Sequence, residues 1–221
     1  MFHGKHFDDQ LDRAASWAGL RLDPSERRAL GNYGEWLAAE GIEAGGLGPL
    51  EGPRIVDRHL ADSLVFAGVW GATPSRVLDV GSGVGLPGIP LAITHPRSTF
   101  TLVDRAGRRC QLARRAVRVL GLQNVSVEQE DIAFEARTWP AVLFRASLPP
   151  ERALETAPPL LEPNGYGVVA LSRTAAPGAV PPSPPGTKLD LVRTDPGVLD
   201  SPAWFLRMRK TDPRTKDGIS L

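Results

Sequence analysis

Two apolar rhythms divide the chain. In residues 8–20, Leu11, Ala14, Ala15, Ala18 and Leu20 recur at near-helical spacing with charges between them, predicting a helix that ends at Gly19. A second helix is predicted from Asp23 to Gly41. Aspartate can cap the first free amides, and Pro24 suits the first helical position because it leaves no N–H unpaired. Residues 41–53 (GIEAGGLGPLEGP) are rich in glycine with two prolines, so a loop is expected there, a hinge between sub-domains. Helical spacing returns in residues 55–70, placing Ile55, Val56, His59, Leu60, Ser63, Leu64 and Ala67 on or near one face and Asp57, Arg58 and Asp62 on the other.

From Arg76 the rhythm changes. Short apolar runs (RVLDV, TFTLVD, VSVEQ, AVLFRA, YGVVALS) alternate with helical stretches that begin near Pro87, cover residues 106–120, and include ERALETAPPLL. Strands that alternate with helices imply a parallel sheet, because a parallel crossover needs an intervening segment to carry the chain back. KLDLVRT and AWFLRMRK supply two more strands. The proline-rich stretch at residues 177–185 reads as a semi-rigid loop between strands rather than as a ligand for a proline-binding domain.

The 221 residues are 42% hydrophobic and 23% charged, the composition of a folded globular chain. The single cysteine, Cys110, cannot form an internal disulfide, and the first residues (MFHGKHFDDQ) lack a secretory pattern, so a cytoplasmic location is expected. Charges, Pro or Gly interrupt every apolar run before the ~18–20 residues needed to cross a bilayer, which argues against a membrane partner. The net charge of +1 makes no overall case for a polyanionic partner. Such a case rests on local clusters: Arg108, Arg109, Arg114, Arg115 and Arg118 on one helix, and Arg207, Arg209, Lys210, Arg214 and Lys216 near the end. The helix cluster reads equally well as a phosphate-gripping stripe or as a solvated face. No metal is expected.

The most specific signal is RVLDVGSGVGLPG, in which Gly81, Gly83 and Gly85 follow an apolar strand that ends near Asp79. Glycine lets the chain turn sharply at the strand end and lets a ligand lie against bare backbone. Asp104 ends the next strand, about 20 residues beyond Gly83, a spacing that suits a carboxylate on ribose hydroxyls. Read from Gly83, the loop also matches the dinucleotide pattern G-x-G-x-x-G. The register differs, however: the strand meets Gly81, and counted from there the third glycine position is Leu86. Asp79 would repel a pyrophosphate yet favour a cationic sulfonium, which points to S-adenosylmethionine.

Arg58-His59-Leu60-Ala61-Asp62-Ser63 and the run from Leu78 to Ala92, with its LPGIPLA, resemble the bacterial small-subunit ribosomal RNA guanine-N7 methyltransferases, also called glucose-inhibited division protein B. The resemblance continues through Thr101–Asp104, Gly121–Val125 and Arg145-Ala146. It implies an α/β, class I S-adenosylmethionine-dependent methyltransferase, Rossmann-like, with a seven-stranded, mostly parallel sheet and an N-terminal helical extension. The implied division is a helical region over residues 1–70, a methyltransferase domain over 71–210 and a flexible tail over 211–221. Gly81, Gly83, Gly85 and Leu86, with Asp79 beside them, would bind the methionine part. Asp104 would hold the ribose, Asp131, Ile132 and Ala133 the adenine, and Arg145 would act beside the methyl group as both cofactor-binding and catalytic residue. The implied partner is ribosomal RNA or the small ribosomal subunit.

Three segments depart from the family pattern: Gly45–Pro49 replaces its asparagine-leucine-threonine, Ser172-Arg173 its lysine-glycine, and SLPPERAL follows Arg145. A methyltransferase for a small molecule or protein, and a non-catalytic RNA- or ribosome-binding protein on the same fold, are therefore alternatives. Guanine N7 carries an in-plane lone pair, so methyl transfer to it needs no general base, and positioning is what the site must supply.

Overall fold

A computed structural model describes residues 4–173 and 177–212. Seven strands form one sheet: β1 (Arg76–Val80), β2 (Thr99–Asp104), β3 (Val125–Gln129), β4 (Trp139–Phe144), β5 (Leu161–Ala170), β6 (Thr187–Arg193) and β7 (Trp204–Lys210). Their order is β3-β2-β1-β4-β5-β7-β6. The first five run parallel, with β1 in register against both β2 (Asp79 opposite Leu102) and β4 (Asp79 opposite Leu143). β7 enters antiparallel between β5 and β6. Strand order reverses between β1 and β4, and in open α/β sheets ligands bind outside the carboxyl ends of the strands at such a switch point.

The helices are α1 (Lys5–Trp17), α2 (Pro24–Trp36), α3 (Asp62–Leu64), α4 (Gly88–Thr94), α5 (Gly107–Leu120) and α6 (Pro150–Leu160). Asp23 caps α2 as its composition predicts: its carboxylate accepts from the Ser25 and Glu26 amides at 2.7 and 2.9 Å, while Glu26 accepts from the Asp23 amide at 2.8 Å. α5 ends on Gly121, whose φ of +66° is the left-handed cap glycine adopts freely. The proline-rich stretch forms no regular element between β5 and β6. The expected loose tail, together with Arg214 and Lys216, lies outside the described residues except for Thr211 and Asp212.

Buried apolar residues cover both faces of the sheet. On one face α6 packs through Ala153, Leu154 and Ala157 against Leu78, Val142 and Phe144. On the other, Leu11 of α1, Leu30 and Tyr33 of α2, Ile89 and Leu91 of α4, and Ala113 and Ala116 of α5 join Val77, Phe100 and Leu102 in one continuous core.

The segment from Ile55 departs from the expected two-faced helix. It begins as a wide π turn (Ile55–Ala61), tightens through α3 and ends as a 3-10 turn (Val65–Gly68). His59 to Ala67 are all buried, Asp62 and Ser63 among them. The π turn advances the faces relative to 3.6-residue spacing, and the segment is covered by α1, α2 and α4, with Phe66 meeting Phe205 of β7 edge to face. Asp62, placed by the spacing on the polar side, is therefore turned inward, where two arginines meet it.

Candidate functional site

The turn after β1 is held by its glycines. Gly81 has φ of +66°, and a Cβ there would overlap the Ser147 side chain from the loop after β4. Gly83, at φ +60°, has open space where a Cβ would stand. Asp79 lies beneath the turn, fully buried, with Oδ2 accepting from the Gly88 amide at 2.8 Å and Oδ1 without a partner among the described residues. Burial pushes its carboxyl up to about 7, against the opposing effects of the Gly88 hydrogen bond and nearby Arg145. One oxygen of the carboxylate thus holds the start of α4.

Beside this turn a cleft with about 690 Å³ of empty space, partly open to solvent, is lined by Gly81, Asp104, Arg105, Arg109, Asp131, Ile132 and Ser147, among others. Asp104, 4% exposed, closes β2. Its Oδ1 accepts from the Ala106 amide at 2.8 Å and its Oδ2 from the Gly83 amide at 3.1 Å. The carboxylate is thus fixed in orientation between the two turns, each oxygen keeping a further lone pair. Asp131 caps the short turn Ile132–Phe134 by accepting from Ala133 at 3.0 Å.

Across the cleft, Ala146 adopts φ of +53°, a conformation costly for a residue with a Cβ, and sets Ser147 against Gly81. Among the described residues the buried hydroxyls of Ser147 and of Ser82 have no hydrogen-bond partner. Unsatisfied buried hydroxyls beside a cleft suit a polar ligand that supplies the missing partners. Neither serine stands out in the sequence, because only the return of β4 next to β1 brings Ser147 to the glycine turn.

Of the residues singled out by sequence, Gly81, Asp104, Asp131 and Ile132 line the cleft together. Gly83 contributes through its amide to Asp104, and Ala133 through its amide to Asp131. Gly85 and Leu86 shape the turn, packing with Ile89 and the core. Tyr33 of α2 donates to the Val84 carbonyl at 2.9 Å, anchoring the turn from the N-terminal region. Glu128, Glu130 and Glu135 come together near the cleft, but Arg137 pairs with the first and last of them.

Arg145 is held by the segment around α3 rather than by the cleft lining. Its Nε lies 3.2 Å from Asp62 Oδ2, its Nη2 donates to the Arg58 carbonyl, and that Nη2 is 3.4 Å from His59 Nδ1. The other face of His59 meets Glu51 at 2.9 Å through Nε2. Burial first, then the charge of Arg145, lowers the His59 pKa to about 4, so the ring is neutral near pH 7. A neutral ring that donates from Nε2 to Glu51 leaves the Nδ1 lone pair facing Arg145, and this fixes the tautomer. Asp62 Oδ1 receives Arg173 Nη1 at 3.1 Å, and Arg173 in turn bonds Asp200 and the Ser201 carbonyl. One carboxylate therefore joins the ends of β4 and β5 to the N-terminal segment.

A β3-β2-β1-β4-β5-β7-β6 sheet, a glycine turn after β1 and a carboxylate closing β2 define the class I S-adenosylmethionine-dependent methyltransferase fold. Solved structures agree on architecture: TrmN from Thermus thermophilus superposes with a TM-score of 0.55 at 22% identity over 79% of this chain and 52% of that one. The [4+2]-cyclase SpnF superposes at 0.57, 16% identical over 85% and 96%. A cyclase on the same framework shows that the fold does not fix the reaction. The profile of the family described as rRNA small subunit methyltransferase G, GidB, matches residues 26–175, and the chain belongs to that family.

Relatives bearing that name include the Acidothermus cellulolyticus protein, 41% identical over 60% of this chain and 60% of its own length. The Rhodococcus jostii protein is 33% identical over 93% of this chain and 92% of its own length. The first of these matches thus spans less than two thirds of the relative's length. Among the described residues no helix is long and apolar enough to cross a membrane.

Proposed function

We propose that this protein transfers the methyl group of S-adenosylmethionine to N7 of a guanine in 16S ribosomal RNA. The observation that carries the reading is the cleft at the switch point, where the rigidly oriented Asp104 carboxylate sits between the Gly81–Gly83 turn and Asp131. The family profile and the relatives' printed name add the substrate class.

The residues present fit the cofactor. Asp104 offers a fixed acceptor to each of two ribose hydroxyls, Asp131 and Ile132 frame the adenine, and the bare backbone at Gly81 and Gly83 accepts the methionine part. The orphan hydroxyls of Ser82 and Ser147 supply partners for polar groups beside them. When bound, S-adenosylmethionine supplies an activated methyl group on a sulfonium. Guanine N7 needs no deprotonation, so the chain's task is to hold the base in line and exclude water. Arg145, with Nε and Nη2 pinned, is read as presenting its remaining N–H groups at the substrate edge, where a planar fork suits guanine O6 or a phosphate. Asp79 fixes the turn through Gly88 with one oxygen, and its other is read as facing the methionine part directly or through water.

Nucleoside mass spectrometry of small-subunit RNA from a strain lacking the gene tests the assignment. Loss of one N7-methylguanine, restored by the purified protein with S-adenosylmethionine, is expected; persistence of the modification would sink it.

A further inference from the structure

The outward face of α5 differs from the other long surface helices. α1 carries Asp8, Asp9 and Asp12 beside Arg13, α2 carries Glu26 and Glu35 beside Arg27 and Arg28, and α6 carries Glu151 and Glu155 beside Arg152. Mixed signs of that kind make an ordinary solvated surface. From Arg105 to Val127, by contrast, there are six arginines and no acidic residue. All six, Arg105, Arg108, Arg109, Arg114, Arg115 and Arg118, are exposed.

Helical geometry sorts them. Cys110, Ala113 and Ala116 face the core. Arg108, Arg115 and Arg118 lie on the opposite side, spread along about 15 Å of helix axis. Arg114 turns toward β3, donating to the Val127 carbonyl. Arg105 and Arg109 stand at the cleft rim, where Arg109 is 3.7 Å from Asp104. Glu40 pairs with Arg115, but Arg105, Arg108 and Arg118 form no ion pair among the described residues. The positive strip therefore begins at the cleft and runs away from it.

We propose that the outward face of α5 is a phosphate track that binds the substrate RNA backbone and leads it to the cleft. The assignment rests on the reading that RNA is the substrate. Charge complementarity favours a polyanion, and backbone phosphates spaced along a strand match a row of exposed guanidiniums better than a single anion does. The surface sets affinity and register, and the base-reading groups lie elsewhere.

The test measures binding of a small-subunit rRNA transcript across a salt series for the wild type, for the α5 triple variant Arg108→Gln, Arg115→Gln, Arg118→Gln, and for a control triple, Arg13→Gln, Arg21→Gln, Arg28→Gln, on exposed N-terminal positions. The α5 variant is expected to bind about a hundredfold more weakly at 0.1 M salt, with the slope of log affinity against log salt reduced by about 2, since each single-strand phosphate contact contributes about 0.7. Its affinity for S-adenosylmethionine and its melting temperature stay at wild-type values, and the control triple leaves the slope unchanged.

An unaltered slope in the α5 variant, an equal loss in the control triple, or polyglutamate that binds the wild type as tightly as the transcript would each overturn the track. A wild type with no affinity for the transcript would instead remove the RNA reading on which the track depends.

Discussion

Asp104 concentrates the chemistry of the cleft in one side chain. Its two oxygens are oriented by backbone amides from two different turns, so Asp104→Asn keeps the shape but presents an amide N–H where an acceptor stood. Hydrogen bonds to a charged group are worth about 1.5–3 kcal/mol, and calorimetric titration should show S-adenosylmethionine binding weakened roughly tenfold to a hundredfold. Two other residues set the response to pH. Asp79 titrates near 7 in the fold against 3.8 as the ordinary value, so its folded form holds the proton more tightly and its contribution to stability is lost as pH rises from about 4 to about 7. His59, lowered to about 4 from 6.5, acts in the opposite sense, its contribution present above 6.5 and lost as pH falls toward 4. The two slopes oppose each other over the same window. In Asp79→Asn, urea unfolding between pH 4 and 7 should show stability that rises more steeply with pH than in the wild type; an unchanged profile would mean that Asp79 does not titrate there.

Among the elements, α2 has the most to show for its sequence. Removing its capping box with Asp23→Ala should lower the melting temperature by about 2–4 °C without touching the cleft. Tyr33→Phe, three turns further along the same helix, should cost a similar amount through its lost bond to Val84, and it should also weaken S-adenosylmethionine binding, because that carbonyl belongs to the glycine turn. Each strand was legible in the sequence because an apolar run bounded by turn residues has few other fates, and α5 because its small and polar residues alternate at a clean helical period. The segment from Ile55 was misread in one respect: a period of 3.6 cannot report a π turn, so Asp57 and Arg58 stay half-exposed as expected while Asp62 is turned into the core. The cleft was half legible. Gly81 and Asp104 announce themselves by position, at or just after a strand end, whereas Ser147 and Tyr33 gain their roles only from contacts between distant stretches of chain.

At the scale of the whole molecule, the N-terminal helices and the sheet share one core, with Leu11, Tyr33 and Leu60 packed in the same cluster as Val77, Leu102 and Phe205. We therefore expect thermal unfolding as a single transition, with circular dichroism and tryptophan fluorescence coinciding; two separate transitions would show independent units. The charge network crosses the same boundary. Asp62→Asn leaves Arg145 and Arg173 largely buried without their shared counter-charge, which should destabilise the protein by about 3 kcal/mol in denaturant unfolding. Arg145→Lys keeps the charge but loses the fork, and is expected to lower methyl transfer to RNA while leaving S-adenosylmethionine binding intact.

The shared carboxylate also imposes an order on biosynthesis. Asp62 leaves the ribosome 83 residues ahead of Arg145 and 111 ahead of Arg173. A nascent chain can lay down α1, α2 and the first strands while that anion still waits for both of its cations. That shared anchor is thus completed late, and a product terminated before Arg173 would leave the Asp62 carboxylate with Arg145 but without its second arginine.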